Sequence, residues 1–393
     1  MNILVTGAKG FIGKNLVAQL HNIAEGKARH DGLSGDLRVF EYDVDTDTAQ
    51  LETMAAEANF VFHLAGINRP KSPDEFNTGN VGLTSALLDI LEKTNNTVPV
   101  MLSSSIQAEL DNPYGLSKRE AEELLADYGK RSGAQTFIYR FPNVFGKWCR
   151  PNYNSAVATF CHNIAADIPI TISDPAHILT LVYIDDLIEE MMQALAGREN
   201  RNGDYCRVPV EYQITLGELV ERLRSFRASR ENLSVPDMSD PFERKLCATY
   251  LSYIPPDQFG YSLKMNCDER GSFTELLRTL DRGQFSVNIS KPHIVKGNHW
   301  HHTKFEKFAV VSGRGVIRFR RPDSDEIYEY FVSGDQMKMI DIPAGYSHNI
   351  ENLGETDMVT FMWVSECFDP SRPDTYFLSV AEKFNSTNRG GLQ

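Results

Sequence analysis

The chain alternates short apolar runs with amphipathic stretches over about its first two-thirds. Met1 to Val5 is an apolar run, and the amphipathic stretch from Phe11 to Leu20 follows it after a glycine-rich turn. Buried strands that alternate with amphipathic helices are typical of a parallel sheet with helices on both faces. The pattern therefore predicts a doubly wound, Rossmann-type α/β domain. Further strands are predicted over 37–42, 60–66 and 98–102, with helices over 81–94 and 216–227 and one that ends near 128.

The pattern changes from about residue 259 onward. Short apolar runs separated by glycine and proline turns replace the strand–helix alternation, which is typical of an all-β barrel or sandwich. Loop-like sequence around 236–241 and the pair Pro255-Pro256 mark the transition, so we place domains at 1–250 and 251–393. The apolar strands predicted in the second domain cover 286–289, 308–311, 315–319, 337–342 and 358–364.

Length and composition narrow the class of protein. The chain has 393 residues, 41% of them hydrophobic and 24% charged, as in a globular protein of two or three domains. Its net charge of −13 argues against nucleic acid or an anionic membrane as a main partner, and no apolar run approaches the length of a membrane span. Six scattered cysteines without a CxxC pair fit reduced thiols. We therefore expect a cytoplasmic enzyme with no nucleic-acid or membrane partner.

The first turn carries the pattern of a dinucleotide site. Gly7, Gly10 and Gly13 recur at three-residue spacing directly after the first strand and at the start of the first helix. One glycine permits the tight turn, one lets the backbone approach a pyrophosphate, and one lets the helix lie close to the sheet. The N–H groups and the dipole at the helix start favour phosphates. A purely structural turn is the alternative; the predicted cofactor contacts are Gly7, Lys9, Gly10, Phe11, Ile12 and Gly13.

Two later strand ends are placed to reach the same cofactor. Asp43 follows the second strand, where an acidic residue bonds the adenosine ribose hydroxyls and repels a 2′-phosphate, so it favours NAD over NADP. A solvated loop carboxylate is the alternative interpretation of Asp43. Leu64, Ala65 and Gly66 close the third strand, and the small residues after Leu64 allow close approach to the cofactor.

Tyr114 and Lys118 lie four residues apart at the start of a predicted helix and therefore share one helix face. An ammonium beside a phenol favours the phenolate, so we expect Lys118 to lower the pKa of Tyr114. The serine triplet 103–105 follows the preceding strand, and a serine hydroxyl there can hold a substrate oxygen while the tyrosine transfers a proton. These groups suit carbonyl reduction beside a nicotinamide, and a surface Tyr–Lys pair is the alternative.

The second domain contains a candidate metal centre. His299 and His301 alternate along a predicted strand and so point to one face, whereas His302 points to the other. Glu306 can return from the next strand, and His348 follows a proline–glycine turn. Three imidazoles and a carboxylate suit zinc, or else iron, manganese or nickel. A cluster of hydrogen-bonded histidines is the alternative.

Several phrases of the first domain together resemble the extended short-chain dehydrogenase/reductase family, whose members commonly act on nucleotide sugars. The resemblance implies that Tyr114 is the acid/base, that Lys118 assists it and orients the ribose, and that a serine contacts the sugar oxygen. It leaves the choice of serine open, with Ser103 slightly favoured and Ser104 as the other candidate. The phrases are the glycine turn, the serine triplet, HLAG at 63–66, YGLSK at 114–118, RFPNVFG at 140–146 and VYIDDL at 182–187.

The same resemblance places substrate contacts in and beyond the loop after Tyr139-Arg140. Asn143 would touch the substrate, unless it is an ordinary turn asparagine. The segment 148–155 (WCRPNYNS) would cover a sugar-nucleotide pocket, with Trp148 among its contacts. Lys147 and Arg150 would face the phosphates, although exposed charges of this kind are more often only solvated.

Both domains together are similar to the two-domain enzymes of capsular-polysaccharide and O-antigen synthesis, in which an extended reductase domain is fused to a metal-binding cupin. Phrases such as LSSSIQ, GNHWHHTK, SGRGVIRFR and HNIENLG extend this resemblance over nearly the whole chain. It implies a zinc ion, a homodimer and a UDP-linked 4-keto-6-deoxy-N-acetylhexosamine substrate. The cupin domain would epimerise C3, and the reductase domain would reduce the C4 ketone with NADPH. The product would be UDP-2-acetamido-2,6-dideoxy-L-talose, on the route to UDP-N-acetyl-L-fucosamine.

Two alternatives stay open at this point. Asp43 offers no arginine for the 2′-phosphate of NADPH, so NAD(H) or dual use is the alternative to NADP(H). The chain also fits a single-activity, NAD-dependent nucleotide-sugar epimerase or dehydratase whose cupin is a structural or substrate-sensing module.

Overall fold

A computed structural model describes residues 1–33, 35–70, 72, 74–279 and 281–381 of the chain. The chain divides into two compact units. The N-terminal unit combines Met1–Ser225 with Ser239–Pro256, and the C-terminal unit combines Phe226–Met238 with the residues from Asp257 onward. Residue 250, the predicted boundary, lies in the helix Pro241–Leu251 of the N-terminal unit.

The N-terminal unit alternates strands and helices as the sequence pattern predicts. Its strands are β1 (Asn2–Thr6), β2 (Arg38–Tyr42), β3 (Phe60–His63), β4 (Val100–Ser105), β5 (Thr136–Phe141), β6 (Asn143–Phe145), β7 (Ile178–Tyr183), β8 (Arg201–Asn202), β9 (Tyr205–Cys206) and β10 (Tyr212–Thr215). Its α-helices are α1 (Phe11–Ala24), α2 (Thr48–Glu57), α3 (Asp74–Phe76), α4 (Leu83–Lys93), α5 (Pro113–Ser132), α6 (Ala156–Ala165), α7 (Ile184–Leu195), α8 (Leu216–Asn232), which continues into the C-terminal unit, and α9 (Pro241–Leu251).

The main sheet is parallel and covered on both faces, which confirms the predicted doubly wound architecture. Its order is β2-β1-β3-β4-β5-β9-β8, and β1 to β5 all run parallel. Because successive side chains alternate along a strand, Ile3 and Val5 pack with α1 and α7, whereas Leu4 packs with α2, α4 and α5 on the other face. The remaining three strands of this unit form a second sheet, of order β10-β7-β6.

Three predicted boundaries shift in ways that affect the site. The serine triplet belongs to β4, since Ser103, Ser104 and Ser105 continue the pairing with β5 beyond the apolar run. Strand β3 ends at His63, so residues 64–66 form a loop at its carboxyl end. The helix predicted over 81–94 is α4, and a π-helical turn, Asn77–Gly82, precedes it.

From Met265 onward the C-terminal unit is antiparallel and all-β, as predicted. Its strands form two sheets, of order β11-β12-β13-β20-β15-β18 and β17-β16-β19-β14-β21. Both sheets contribute to one core, for example through Phe308 and Val310 of one sheet and Ile317 and Ile350 of the other. The strands are β11 (Met265–Asp268), β12 (Gly271–Arg278), β13 (Gln284–Ser290), β14 (Val295–Trp300), β15 (Glu306–Ser312), β16 (Arg314–Arg320), β17 (Ile327–Ser333), β18 (Met339–Ile342), β19 (Ser347–Asn352), β20 (Met358–Val364) and β21 (Tyr376–Phe377).

The predicted apolar runs fall in β13, β15, β16, β18 and β20. Strands β14 and β19 carry polar and histidine side chains and are not predicted by apolar alternation. Within the described residues, no helix is both long enough and apolar enough for a bilayer span.

Candidate active site and metal centre

Two positions of the glycine turn have no room for a side chain. Gly7 has a φ of +71°, and a Cβ there would lie 2.7 Å from the backbone nitrogen of Ala65. A Cβ on Gly13 would lie 2.1 Å from the carbonyl oxygen of Gly7. Gly10 is the N-cap of α1 and supplies no side-chain cap, so the first N–H groups of the helix stay available to a ligand phosphate. Gly7 and Gly13 thus bring α1 and the loop after β3 close to the turn.

Asp43 is tied directly to this turn. Its carboxylate accepts hydrogen bonds from the backbone N–H of Lys9, at 2.7 Å, and from that of Val44, at 2.8 Å. The ammonium of Lys9 pairs with Asp45 in the same loop. The structure therefore places Asp43 beside the glycine turn, where an adenosine ribose binds in proteins of this fold.

The loop after β3 is held next to α5 by Asn80, a residue that the sequence analysis missed. Asn80 is buried; its Oδ1 accepts from the N–H of Ile67 at 2.8 Å, and its Nδ2 donates to Ser117 Oγ at 3.0 Å. A Cβ on Gly66 would lie 2.9 Å from Asn80 Oδ1 and 3.1 Å from Lys118 Nζ. Local sequence could not identify Asn80, because a buried asparagine and a solvated one look alike in the pattern.

Tyr114 and Lys118 share a face at the start of α5. Asn112 Oδ1 caps this helix by accepting from the N–H of Gly115 at 2.8 Å. Lys118 is buried, its Nζ lies 5.9 Å from the centre of the Tyr114 ring, and it donates to the carbonyl oxygen of Ser103 at 3.0 Å. The two residues expected to act together are therefore neighbours at the carboxyl end of β4.

The expected pKa shift of Tyr114 is wrong in direction. Burial raises the pKa of Tyr114, and a hydrogen bond with Ser105 only partly opposes this. Burial also lowers the pKa of Lys118 to about 8, against the opposing influence of Glu122. Since the Lys118 ammonium is bonded to the Ser103 carbonyl and not to the phenol oxygen, desolvation outweighs its effect on the phenol.

Of the three serines, Ser105 is the one whose hydroxyl acts on the pKa of Tyr114, whereas the sequence favours Ser103, with Ser104 as the other candidate. Ser103 presents its backbone carbonyl to Lys118, and the Ser104 hydroxyl donates to Glu122 at 2.5 Å. Ser105 Oγ opposes the burial-driven rise in the pKa of Tyr114, and it accepts from the N–H of Gln107 at 3.2 Å. Successive side chains of a strand face opposite sides, so Ser104 points away from the face that Ser103 and Ser105 share, and β4 extends far enough for its last serine to act on the phenol.

Ser104 belongs instead to a buried polar network behind the site. Arg140 donates to both oxygens of Glu122, at 2.6 to 3.2 Å, and to the hydroxyl of Tyr205 at 2.8 Å. Glu122 lies one helical turn after Lys118 on α5. Arg140 and Ser104 therefore hold the Glu122 carboxylate in place, and its negative charge raises the pKa of Lys118.

Lys147 and Trp148 line a different cavity. Lys147 Nζ pairs with Asp185 at 2.5 Å, and Trp148 has a φ of +69° and a side chain that is 55% exposed. Both residues border a cavity of about 360 Å³ whose other lining residues come from α1 and α7, and Ser105, Tyr114 and Lys118 are not among them. Asn143 is exposed on β6 and donates to the carbonyl of Thr180 at 3.4 Å. Lys147 and Trp148 thus line a cavity with α1 and α7, and their predicted contact with substrate stays a prediction.

The four predicted metal ligands do come together in the C-terminal unit. His299 and His348 face each other across the β14–β19 pair, His301 follows β14, and Glu306 begins β15. One potential ligand atom from each residue lies within 4.8 Å of those of the others. His302 lies outside this group, with its ring packed on Trp300 at 4.5 Å.

The donor set suits a divalent metal. Glu306 Oε2 lies 3.1 Å from His348 Nε2 and 3.6 Å from His301 Nε2, yet within the described structure these three buried atoms have no partner with hydrogen-bond geometry. Burial and the neighbouring His348 lower the pKa of His299 to about 4. Burial raises the pKa of Glu306, but His301 and His348 outweigh it and hold that pKa at about 2. Neutral His299 and ionised Glu306 are the forms that bind a metal.

Each of the two units matches a known protein family. The profile of the NAD dependent epimerase/dehydratase family matches residues 3–206, and that of the polysaccharide biosynthesis C-terminal domain matches residues 266–376. The UDP-2-acetamido-2,6-beta-L-arabino-hexul-4-ose reductase of Pseudomonas aeruginosa is 44% identical over 382 residues, which cover 97% of this chain and 100% of that protein.

Two solved structures are similar to different extents. The capsular polysaccharide assembling protein CapF from Staphylococcus aureus is 52% identical, with a TM-score of 0.90 over 97% of this chain and 100% of that chain. The UDP-glucuronic acid 4-epimerase of Bacillus cereus, solved with UDP-glucuronic acid and NAD, is 22% identical, with a TM-score of 0.50 over 65% of this chain and 99% of its own; it shares the fold alone. The chain therefore belongs to the NAD-dependent epimerase/dehydratase family, and within it to the two-domain, CapF-like proteins that carry a polysaccharide-biosynthesis C-terminal domain.

Proposed function

We propose that the protein is a bifunctional nucleotide-sugar enzyme that acts on two neighbouring carbons of one keto-sugar. Its substrate is a UDP-linked 2-acetamido-2,6-dideoxy-4-keto-hexose. The C-terminal unit, which we take to be a closed cupin barrel, epimerises C3, and the N-terminal unit reduces the C4 ketone. The product is UDP-2-acetamido-2,6-dideoxy-L-talose, for capsule or O-antigen synthesis. The observation that carries this proposal is that each unit holds its own reactive cluster: Ser105, Tyr114 and Lys118 in one, and three histidines with Glu306 in the other.

The reductase cluster suits proton delivery to a ketone oxygen. A bound nicotinamide cofactor supplies hydride to C4, and the negative charge then develops on the C4 oxygen. The Ser105 hydroxyl holds that oxygen, and the Tyr114 phenol donates the proton to it. The raised pKa of Tyr114 keeps the phenol protonated before transfer. Lys118 positions the ribose and supports the phenolate that remains.

The cupin cluster suits stabilisation of an enolate. A C4 ketone acidifies the neighbouring C3–H, so removing that proton and returning one to the other face inverts C3. His299, His301, Glu306 and His348 would hold a divalent metal, zinc by family resemblance, which supplies positive charge for the developing enolate oxygen. The carboxylate and the imidazoles leave this charge only partly neutralised, as that role requires.

The cofactor assignment rests on two opposing considerations. Resemblance to the two-domain enzymes favours NADPH, whereas the Asp43 carboxylate beside the glycine turn favours NAD. We propose NADP(H) as the main cofactor, with NAD(H) as the alternative. A homodimer also belongs to the proposal, and light scattering on the purified protein tests it.

The decisive experiment separates the two reactions in the intact chain. Purified protein is given the UDP-linked keto-sugar in D₂O, with and without NADPH, and both deuterium incorporation at C3 and NADPH oxidation are followed. Tyr114→Phe should abolish NADPH oxidation and keep deuterium incorporation, whereas His348→Ala should lose the incorporation. Mass analysis and NMR of the product identify its configuration.

The alternative function is a single nucleotide-sugar activity with a structural or sensing C-terminal unit. It predicts that His348→Ala leaves all deuterium incorporation unchanged. A wild-type protein that neither incorporates deuterium nor oxidises NADPH with this sugar would contradict the proposal.

A further inference from the structure

Two arginines from different loops converge on one tyrosine ring. The guanidinium carbon of Arg69 lies 5.8 Å from the centre of the Tyr153 ring, and that of Arg150 lies 5.5 Å from it. Arg69 follows β3, whereas Arg150 and Tyr153 follow β6. Residues that are distant in sequence thus place two positive charges on one aromatic ring.

The two arginines differ from the neighbouring Lys147 in having no carboxylate partner among the described residues. Among the described residues, neither Arg69 nor Arg150 forms an ion pair with a carboxylate, and both are exposed. Lys147, three residues before Arg150, is paired with Asp185 at 2.5 Å. Like charges brought together without a counterion repel each other, so an anion bound between them would be favoured.

The loop that carries Arg150 is held in a defined conformation. Trp148 and Asn152, on either side of Arg150, have positive φ values of 69° and 54°; asparagine adopts such a φ readily, but for a bulky residue such as Trp148 it is strained. The hydroxyl of Tyr253 donates to the carbonyl of Cys149 at 2.6 Å, and the N–H of Asn152 donates to Thr159 Oγ1 at 3.0 Å. A strained backbone that is fixed from both sides is typical of a ligand-binding loop.

The position of the pair separates it from the adenosine end of the cofactor site. The loop that carries Arg69 begins at Gly66, beside Lys118 and Asn80, at the carboxyl end of β3. Asp43 and the glycine turn lie between β1 and β2, on the other side of β1. Ligands of such sheets bind at the carboxyl ends of the strands, so the pair faces the substrate side of the catalytic residues.

We propose that Arg69, Arg150 and Tyr153 form a clamp for the diphosphate of the nucleotide-sugar substrate, an assignment that rests on the proposed function. Guanidinium groups bind phosphate oxygens through paired, charge-assisted hydrogen bonds, and the Tyr153 ring holds both groups in place. The clamp keeps Arg150, which the family resemblance already placed at the phosphates, and has Arg69 in place of Lys147, because Lys147 is already paired with Asp185.

Binding of UDP and UMP to the full-length protein tests the clamp. Arg69→Gln and Arg150→Gln should each weaken UDP binding about tenfold, which corresponds to about 1.4 kcal/mol, and should weaken UMP binding much less. NADPH affinity should not change. Tyr153→Phe keeps the ring and should bind UDP like the wild type. Arg131→Gln is the matched control, since Arg131 pairs with Glu92 at the far end of α5, about 25 Å along the helix from Tyr114.

The outcomes separate the clamp from the proposed function. Unchanged UDP affinity in both variants would overturn the clamp alone. Equal losses for UDP and UMP, or a parallel loss of NADPH affinity, would also overturn it, because the arginines would then contact a different group. A wild-type protein that binds no UDP would overturn both the clamp and the nucleotide-sugar substrate.

Discussion

His301 Nδ1 lies 2.5 Å from the backbone carbonyl oxygen of Asp374, 73 residues later in the chain. A carbonyl only accepts, so Nδ1 must carry the proton and Nε2 presents its lone pair on the side of Glu306. The carboxylate of Asp374 accepts from the N–H groups of His302, Thr303 and Lys304 at 3.0 to 3.1 Å. One residue of the C-terminal segment thus orients a proposed metal ligand and holds the turn that follows it.

Asp374→Ala should weaken metal retention in the intact protein. Loss of the three N–H contacts frees both the turn after His301 and the carbonyl that fixes its ring. Groups that orient a metal ligand typically contribute 10- to 100-fold to metal affinity, so zinc should pass to a chelator at least about tenfold faster. Metal analysis and chelator absorbance measure this directly. Asp369→Ala is the control, because Asp369 bonds only Ser371 locally; equal zinc retention by Asp374→Ala and wild type would rule out the positioning role.

Ser105→Ala should reduce ketone reduction more than substitution of either other serine. Ser105 is the member of the triplet whose hydroxyl lowers the pKa of Tyr114, and loss of a donor to a developing oxyanion typically costs 10²- to 10³-fold in kcat. Ser103→Ala keeps the backbone carbonyl that binds Lys118 and should remain close to wild type. Steady-state NADPH oxidation measures all three variants. A larger loss in Ser103→Ala than in Ser105→Ala would restore the original sequence-based choice.

Ser104→Ala should act on stability. Its hydroxyl is buried and donates to Glu122 at 2.5 Å, so the substitution removes one partner of a buried carboxylate. Hydrogen bonds to charged groups contribute about 1.5–3 kcal/mol, and the free energy of unfolding should fall by about that amount. Denaturant unfolding measures the change. A stability equal to that of wild type, together with a large loss of kcat, would place Ser104 in the active site after all.

The sequence specified the parts of the site whose chemistry depends on local spacing. The glycine turn was predictable because Gly7 and Gly13 have no room for a Cβ, and such constraints leave glycine at fixed intervals. Tyr114 and Lys118 were predictable because one helical turn places them on the same face. The three histidines and Glu306 were predictable as a set because His299 and His301 are two residues apart, as on one face of a strand, and because imidazoles together with a carboxylate are typical of a metal site.

The remaining features depend on contacts between distant segments. Asn80, Asp374 and the partner of Lys147 act through residues that local patterns do not connect. The choice among the serines depended on where β4 ends, and polar residues continued that strand beyond its apolar run. The direction of the Tyr114 pKa shift depended on burial, which pairwise reasoning from Lys118 alone left out.

The fall of kcat/KM for ketone reduction at alkaline pH should follow the deprotonation of Lys118. Burial lowers the pKa of Lys118 to about 8, and Glu122 opposes that shift. As the pH rises through about 8 the ammonium loses its charge, so kcat/KM for ketone reduction should fall. Glu122→Gln removes the opposing charge, lowers the pKa of Lys118 further and should move this fall to lower pH. Thermal unfolding confirms that the variant is folded; a fall that stays at the same pH would show that Lys118 does not control it.

The cofactor preference should depend on Asp43. Its carboxylate accepts from the N–H of Lys9 at 2.7 Å, so a 2′-phosphate at the adenosine ribose would meet a negative charge beside the glycine turn. Asp43→Asn removes that charge and keeps a side-chain oxygen for the same hydrogen bond. The ratio of kcat/KM for NADPH to that for NADH should therefore rise by about tenfold, through a lower KM for NADPH. Asp47→Asn is the control, because the Asp47 carboxylate caps α2 by accepting from the N–H of Ala49, and among the described residues it forms no hydrogen bond with the glycine turn. If the ratio were the same in Asp43→Asn and wild type, the 2′-position would lie away from Asp43, and the sequence-based preference for NAD would lose its physical basis.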